Sequence, residues 1–397
     1  MEFDPYAQEH TEDPYPGYAW MRANDPVHHN ATLDVWFLTK YDDVLSALKD
    51  PGTFSSERYL FLDQNPDDIV RNMQTIDPPR HDALREMARD AFSSRRVAAL
   101  ESFMRELVRS LFARFEGRAE VDLSNELCWP YPATVIFEML GVPEADRAPF
   151  HGWAHAMAEH GNVGPGLEAT QAAAAYFEGL VAERVARPGH DLVSAMLSAR
   201  SEDGQSMAPA EVASACYLVM TAGHETTTHL LGNALAILAR RPDLWARLRA
   251  EPGLIPRAVE EFLRVVSPAQ GLSRTTTRDV VIRGRRIPEG SAVHILFASA
   301  NRDEEVFERP EEVDFDRSPN RHLAFGFGVH FCLGAKLARL EARVALEELV
   351  GAMPDFELAC ERVPRARSPL IRGLSGLPVR LLATSPPPSR DATGVAA

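Results

Sequence analysis

Cys332 is the residue of this sequence whose type and position most clearly indicate chemistry. It ends a glycine-containing loop and stands directly before a predicted helix at 333–352. The first turn of a helix carries unpaired amides and partial positive charge, which lower a thiol pKa and favour the thiolate. Gly328 and Gly334 leave room for a flat ligand to approach the backbone, and Phe325 could cover one of its faces. The loop therefore predicts a thiolate site, with an ordinary buried cysteine as the structural alternative.

A second candidate site lies inside a long predicted helix at 208–239. The segment 222–227 places a glycine, an acid and hydroxyls in mid-helix, against local propensity, and such conflicts often mark functional sites. Gly223 could let the helix open so that water or oxygen enters the gap. Glu225 and Thr226 could then relay protons by general acid–base catalysis. The plain alternative is a solvated polar helix face.

The same segment superficially resembles the His-Glu-x-x-His helix of zinc proteases. Its histidines, His224 and His229, are five residues apart rather than four. Side chains at i and i+4 stand about 40° apart around a helix, whereas i and i+5 stand about 140° apart. The two rings cannot converge on one ion, so the sequence argues against a metalloprotease.

Several charged residues pair along a predicted helix or lie near Cys332 or a predicted helix end in the sequence. His81 and Arg85 are four apart and share a helical face, Arg274 follows a predicted helix, and His330 precedes Cys332 by two positions. Glu261 and Arg264 are three apart and can pair. For any one of these residues a solvated surface charge is the ordinary interpretation. Buried carboxylates of a ligand, however, need charge-assisted partners of this kind.

The complete set of motifs resembles the cytochrome P450 family, in its soluble bacterial form. The loop matches as Phe-x-x-Gly-x-x-x-Cys-x-Gly, and the resemblance runs from Asp13 to Pro378. It implies haem b with Cys332 as the axial thiolate, which donates electron density that favours O–O cleavage. The resemblance further implies that Ala222 and Gly223 lie beside the haem, that Arg317 joins Glu261 and Arg264 in a structural network, and that the propionates are held by His81, Arg85, Arg274 and His330.

The activity implied by this resemblance is that of a monooxygenase. Such an enzyme inserts one oxygen atom of O₂ into a small organic molecule by hydroxylation, epoxidation or demethylation, in secondary metabolism or catabolism. The sequence has no flavin or iron–sulfur domain, so electrons are expected from a ferredoxin and its reductase. Oxidative coupling or desaturation, direct use of peroxide, and a non-catalytic haem sensor are the alternatives. Glu225 and Thr226 argue against the last two, which need no proton delivery.

The resemblance also indicates a substrate pocket, a lid and a docking face. The residues expected to form the pocket are Tyr59, Leu60, Phe61, Leu62, Val219, Ala269, Leu272, His294, Ile371 and Arg372. Arg372 could face inward and meet a carboxylate, or face solvent. Residues 144–187 are expected to form a lid, with Gly161, Gly164 and Gly166 near its hinge. Lys336, Arg339 and Arg343 follow Cys332 and could form a basic patch for a ferredoxin.

The elements that position these residues are mostly helices. Three-and-four apolar spacing predicts helices at 81–92, 95–116, 130–140, 144–160, 167–187, 190–199, 208–239, 242–250 and 255–265. Short strands are expected at 26–40 and 271–298, and a strand pair at 366–382. The expected fold is mainly α with a minor β portion, a single domain at 1–384 of about a dozen helices, as the resemblance implies, followed by a disordered tail at 385–397.

Composition excludes several other functional classes. The net charge is −15, which disfavours binding to nucleic acid or anionic lipid through the overall field. No apolar run approaches the roughly 18 residues of a membrane span, and the N-terminus does not resemble a signal peptide. The four cysteines are widely spaced and suggest a reducing compartment. We therefore expect a cytoplasmic monomer without membrane or nucleic-acid partners.

Overall fold

The computed structural model describes residues 3–58, 71–89, 92–160, 164–366, 368 and 370–382. Within these ranges the α-helices are α1 (Gln8–Glu12), α2 (Tyr15–Asn24), α3 (Tyr41–Lys49), α4 (Arg80–Arg89), α5 (Ser94–Ala99), α6 (Glu101–Ala113), α7 (Pro130–Leu140), α8 (Ala148–His160), α9 (Pro165–Ala186), α10 (Leu192–Ser198), α11 (Pro209–Arg240), α12 (Pro242–Ala250), α13 (Ile255–Val265), α14 (Phe297–Ala300) and α15 (Ala335–Ala352). The strands are β1 (Val27–Asn30), β2 (Val35–Leu38), β3 (Phe54–Ser55), β4 (Glu120–Asp122), β5 (Leu272–Thr276), β6 (Val280–Ile282), β7 (Arg285–Ile287), β8 (Ala292–Ile295), β9 (Phe356–Leu358) and β10 (Pro378–Leu381).

Helix α11 is the central element of the helical core. It has 32 residues and begins with Pro209, whose fixed φ and missing N–H suit the first helical position. Helices α7, α9 and α15 pack against it. Most of its apolar side chains are buried in the main hydrophobic cluster, which also includes residues of α6 and α13. A helix buried on nearly all sides can present chosen residues to an interior cavity.

A five-stranded sheet with the order β1-β2-β8-β5-β3 lies beside the helical core. Strands β2 and β8 are parallel, and the other neighbours are antiparallel. The register sets Ser273 opposite His294 and Arg274 opposite Val293. The sheet therefore brings Arg274 from the chain segment after α13 into the interior of the protein.

The predicted mainly α architecture with small sheets is confirmed, and two local predictions are wrong. The expected helix at 95–116 is two helices, α5 and α6, which meet at Leu100. The expected strand pair at 366–382 is one strand, β10, which pairs with β4 and β9 from elsewhere in the chain. Residues 371 and 365 form only isolated bridges with 269 and 374. The sequence pattern could not reveal these distant partners.

Some predictions fall outside the described residues. These are the pocket residues Tyr59 to Leu62, the lid residue Gly161 and the tail at 385–397. In the part of the chain that is described, none of the helices combines the length and the apolar character needed to cross a membrane. The four cysteines are all free thiols.

Candidate active site

The loop that carries Cys332 is held by a compact set of backbone contacts. The N–H of Cys332 donates to the carbonyl of Phe325 at 2.9 Å, and the N–H of Phe331 donates to the carbonyl of Gly328 at 3.1 Å. Gly328 has a φ of +72°, and a Cβ there would lie 2.4 Å from the Leu48 carbonyl oxygen of α3. Only glycine meets both conditions, so this position fixes the loop against α3.

The Cys332 side chain is enclosed by protein but retains accessible surface. Burial raises the pKa of its thiol, although the amides of Gly334 and Ala335 and the charges of Arg85 and Arg339 act in the opposite direction. The amides at the helix start thus act on the thiol pKa in the expected direction, but burial outweighs them in the chain alone. A coordinated metal ion deprotonates a thiol outright, so the site favours a thiolate when such an ion binds.

The Phe325 ring packs beside this thiol loop. The Arg339 guanidinium lies 4.5 Å from its ring centroid, and the ring of Phe331 stands edge-on to it at 6.3 Å. Arg339 is itself held by two hydrogen bonds to Glu260, of 2.6 and 2.8 Å. Phe325 is thus restrained by both its backbone bond to Cys332 and its ring contacts.

The four predicted basic residues converge beside the loop. The rings of His81 and His330 have centroids 4.2 Å apart, and Arg85 donates to the carbonyl of Phe331. Burial first, and then the charges of Arg274, His81 and Arg85, lower the pKa of His330 to about 2. Burial alone lowers the pKa of Arg274 to about 10. Elements far apart in sequence therefore build one electropositive cluster.

Asp82 lies beside His81 and Asp77 acts on Arg274, but neither of the two arginines of this cluster forms a salt bridge with a carboxylate of the described chain. Arg274 is 4% exposed and makes one side-chain hydrogen bond there, from Nη1 to the carbonyl of Ser273 at 2.8 Å. His81 contacts the Asp82 carboxylate at 2.7 Å, and His330 contacts the Ser56 hydroxyl at 3.0 Å. A buried guanidinium without a carboxylate is costly. Two carboxylates of a flat ligand would balance the cluster, so these residues fit the propionates of haem.

Helix α11 presents a stripe of half-buried residues although its surroundings are core. The stripe consists of Leu218, Thr221, Ala222, Glu225 and Thr226, at three-and-four spacing. The Thr226 hydroxyl donates to the Ala222 carbonyl at 2.8 Å. These side chains keep accessible surface although most of their neighbours along the helix are buried. Glu225 and Thr226 thus lie together on one half-buried face of α11.

The prediction that Gly223 lets α11 open is wrong. The helix continues without interruption through this residue, so no opened turn exists there. A Cβ at Gly223 would lie 2.7 Å from Cδ1 of Ile136. A larger residue at this position would therefore press on the Ile136 side chain of α7.

The two histidines of α11 face different neighbours, as their spacing predicts. His224 lies 3.2 Å from the Trp129 carbonyl oxygen, and burial lowers its pKa to about 4. His229 instead lies 3.7 Å from Glu225 and packs against Gly373. Among the described residues, no group of three or more His, Cys, Asp or Glu side chains could hold a metal ion.

Glu261, Arg264 and Arg317 meet as the resemblance implies. Arg264 donates to both carboxylate oxygens of Glu261, at 2.8 and 2.9 Å, and Arg317 donates to the same carboxylate at 3.1 Å. Both Glu261 and Arg264 are fully buried. Arg264 also donates to the carbonyls of Asn301, Pro310 and Glu312, so it joins α13 to the chain that leads into the Cys332 loop.

The expected pocket residues divide into two groups. Val219, Ala269, Leu272 and Ile371 are aliphatic, and Ala269 forms a backbone bridge with Ile371. His294 is not on an open wall, because it is 1% exposed within the sheet and bonds the Ser273 hydroxyl at 2.9 Å. Burial first, and then the charge of Arg274, lower its pKa to about 3.

Arg372 follows neither of its two expected orientations. Its side chain is buried against the N-terminal segment, where Nη2 donates to the Glu12 carbonyl at 3.1 Å. The guanidinium lies 4.9 Å from the Tyr15 ring centroid. The cation is therefore directed neither at solvent nor at a substrate carboxylate among these aliphatic residues.

The expected basic patch lies in a groove between α5, α13 and α15, and it is largely neutralised. Arg339 is paired with Glu260, and Arg343 is paired with Glu101 at 2.8 Å. Lys336 is exposed and donates to the Ser94 hydroxyl at 2.8 Å. Of the three cations, Lys336 is the one without an ion pair to a described carboxylate.

Comparison with known proteins decides the family. Residues 175–363 match the model of the family described as Cytochrome P450. The cytochrome P450 monooxygenase PikC of Streptomyces venezuelae is 37% identical, over 96% of this chain and 94% of its own length. The chain belongs to the cytochrome P450 family. Solved P450 structures agree, since CYP109Q5 from Chondromyces apiculatus superposes with a TM-score of 0.89 at 37% identity, covering 96% of this chain and 98% of its own.

A second solved P450 is CYP109E1 from Bacillus megaterium, whose structure contains corticosterone. It has a TM-score of 0.85 and 32% identity, covering 94% of this chain and 100% of its own. Membership of the P450 family makes this chain an oxidoreductase that uses haem with a cysteine thiolate ligand and O₂. The residues assembled around Cys332 are those that would hold that haem.

Sequence reasoning missed several residues at the site. Asp82 and Ser56 contact the two histidines of the cation cluster, and Asn320 donates to Glu261 at 3.1 Å. His229 was considered only as a metal ligand, although its spacing of four from Glu225 predicts their contact. For Ser56 and Asn320 the sequence contains no local signal, because each meets its partner through the fold.

Proposed function

We propose that this P450 is a monooxygenase in which Glu225 and Thr226 deliver protons and an external ferredoxin delivers electrons. The observation that supports this proposal is the position of both side chains on the half-buried stripe of α11, with the Thr226 hydroxyl anchored on the Ala222 carbonyl. Haem held by Cys332 supplies a thiolate-ligated iron at which O₂ is activated. Substrates are then hydroxylated, epoxidised or demethylated.

Each residue has a specific role in this proposal. Cys332 Sγ would hold the iron, and Arg274, His81, Arg85 and His330 would hold the propionates. Because the Thr226 hydroxyl donates to the Ala222 carbonyl, its oxygen lone pairs are free to accept a proton. Glu225 passes a proton to Thr226 Oγ1, Thr226 hands one proton on towards the site where oxygen is reduced, and water reprotonates Glu225. A haem sensor or a peroxide-using enzyme would not need proton delivery by these two side chains. Oxidative coupling or desaturation remains a second possible outcome of the same chemistry.

The substrate that we propose is an apolar molecule in the size class of a steroid. Val219, Ala269, Leu272 and Ile371, which the sequence predicts to line the pocket, are aliphatic, and the guanidinium of Arg372 is engaged elsewhere. The similar protein CYP109E1 was solved with corticosterone. Corticosterone should therefore shift the haem Soret band of this protein on titration, whereas hexadecanoic acid should bind more weakly. A stronger response to the acid would contradict this substrate class.

The first experiment is the absorption spectrum of the dithionite-reduced protein with and without carbon monoxide. The wild type should give the strongly red-shifted Soret band of a thiolate-ligated haem, and Cys332→Ser should lose it. Thr226→Ala should retain this band but direct most reducing equivalents to hydrogen peroxide. A Thr226→Ala enzyme that remains fully coupled to product would remove the proton-delivery assignment.

A further inference from the structure

His229 lies one helical turn after Glu225, where i and i+4 side chains of a helix meet. Its Nε2 is 3.7 Å from Oε1 of Glu225. The imidazole is 3% exposed, whereas Glu225 belongs to the half-buried stripe of α11. An interior histidine therefore contacts the acid that the proposed function uses.

The backbone at Gly373 confines the His229 ring. A Cβ at Gly373 would lie 2.2 Å from Cε1, 2.3 Å from Nε2 and 2.5 Å from Nδ1 of this imidazole. The segment is fastened to α11, because Asn233 Nδ2 donates to the Arg372 carbonyl at 2.8 Å. Since Asn233 is one turn beyond His229, the helix and the segment together prevent the ring from turning away from Glu225.

The two ring nitrogens of His229 have different surroundings. Nδ1 is buried and has no hydrogen-bond partner among the described residues. Nε2 faces the Glu225 carboxylate, so we assign a proton to Nε2. A buried nitrogen without a partner is unfavourable, and an aliphatic side chain would fill the same space without that penalty. The favourable contact of this ring is therefore the one from Nε2 to Glu225.

We propose that His229 is a positioning residue for proton delivery, which restrains the Glu225 carboxylate beside Thr226 through its Nε2–H. This inference rests on the proposed function of Glu225 and Thr226. At 3.7 Å the contact is electrostatic, and a small rotation of the half-buried Glu225 side chain brings it to hydrogen-bond distance. Because Gly373 fixes the His229 ring, the Glu225 carboxylate is the group that moves. It can approach His229 or turn to Thr226.

The test compares two substitutions that separate hydrogen bonding from packing. His229→Leu fills the space without a donor, and His229→Gln places an amide nitrogen near the position of Nε2. With corticosterone and a surrogate ferredoxin and reductase, His229→Leu should raise the peroxide released per NADH several-fold, towards the value for Glu225→Gln. His229→Gln should restore most of the coupling. In the Glu225→Gln background, His229→Leu should have no additional effect.

His224→Leu is the matched control, because it removes the other buried histidine of α11, which faces Trp129 instead. It should leave coupling unchanged. Uncoupling as large as that of His229→Leu would mean that the loss of coupling comes from disturbed packing, and it would overturn the role of His229. Retained coupling in His229→Leu, with uncoupled Glu225→Gln and Thr226→Ala, would overturn the role of His229 alone. Full coupling in the latter two variants would overturn the proton-delivery assignment and, with it, the role of His229.

A second readout does not depend on turnover. In protein labelled with ¹⁵N-histidine, in its diamagnetic reduced carbon monoxide complex, the resonance lost in His229→Gln identifies His229. Its Nε2–H signal should shift in Glu225→Gln and stay in place in Glu357→Gln, whose carboxylate pairs with Arg380 in the β9–β10 sheet. If the Nε2–H signal does not shift in Glu225→Gln, the contact is absent in solution and the proposal is refuted.

Discussion

At the scale of single residues, Arg274 shows how a cofactor site affects the stability of the chain that forms it. Its guanidinium is buried, and burial lowers its pKa to about 10, although the charge of Asp77 acts in the opposite direction. The energy of burying this charge is recovered only when an anion arrives. A residue of this kind is unfavourable for folding and favourable for binding, and the two effects can be measured separately.

Arg274→Leu should therefore have opposite effects on the haem-free and haem-loaded protein. We expect the haem-free chain to gain about 1–2 kcal/mol in unfolding free energy, because an unpaired buried charge is removed. Haem should dissociate roughly tenfold faster, which corresponds to about 1.4 kcal/mol. Thermal melts of the haem-free chain and haem transfer to an apoglobin measure these quantities. Arg278→Leu, which removes an exposed arginine after the same strand, should change neither.

Glu341 is a buried carboxyl on α15 that the proposed chemistry does not use. Neither of its oxygens has a hydrogen-bond partner among the described residues, although Thr227 is close enough to lower its pKa slightly. Burial dominates and raises the pKa well above its ordinary value. The folded protein therefore favours the protonated acid, and the unfolded chain releases the proton at about pH 4.3.

This raised pKa makes the contribution of Glu341 to the unfolding free energy decrease as pH rises. Above the unfolded-state pKa of about 4.3, the loss is about 1.4 kcal/mol per pH unit until the folded-state pKa is reached. Glu341→Gln removes this dependence. Its melting temperature should exceed that of the wild type at pH 8, and the difference should narrow as pH falls towards 4. A difference independent of pH would mean that Glu341 is not a protonated interior acid.

At the scale of elements, the Cys332 loop is positioned by helix α3 through Gly328. Two separate requirements meet there, a positive φ and the close approach of the Leu48 carbonyl. Gly328→Ala violates both, so it should cost about 2–4 kcal/mol of stability and lower the fraction of protein with the red-shifted carbon monoxide band.

Gly284→Ala is the control for that substitution, because Gly284 has a φ of +79° but open space around it. It should cost only about 1 kcal/mol, from backbone strain, and should leave the spectrum unchanged. Equal effects in the two variants would show that contact with α3 contributes nothing to the loop. Melting temperatures of both variants measure the loss of stability, and their carbon monoxide difference spectra measure the fraction with the red-shifted band.

At the scale of the whole molecule, the elements and motifs were more predictable than the directions of side chains. Helix bounds such as those of α7, α12 and α13 follow from apolar periodicity and proline starts, which are local signals. The cation cluster was predicted only through the family resemblance, since its members come from α4, β5 and the Cys332 loop. Arg372 and His294 were assigned wrongly because their surroundings are set by Tyr15 and Phe37, far away in the chain.

The docking of a ferredoxin is the property that depends on the whole surface. The protein is acidic overall, so attraction of an acidic partner must come from a local positive field. In the groove between α5, α13 and α15, Arg339 and Arg343 are already paired with Glu260 and Glu101, so that of these three predicted cations Lys336 is the one without a described carboxylate partner. Reversal of this one charge should therefore affect partner association without breaking an ion pair.

Lys336→Glu should slow reduction by a ferredoxin about tenfold at low ionic strength, and the difference from the wild type should largely disappear in about 0.5 M salt. Arg187→Glu makes the same change of charge at the exposed end of α9 and should have little effect. Stopped-flow reduction under carbon monoxide measures both rates. Equal rates for Lys336→Glu and the wild type at low salt would mean that electrons enter through another face, since no other step of the reaction involves this side chain.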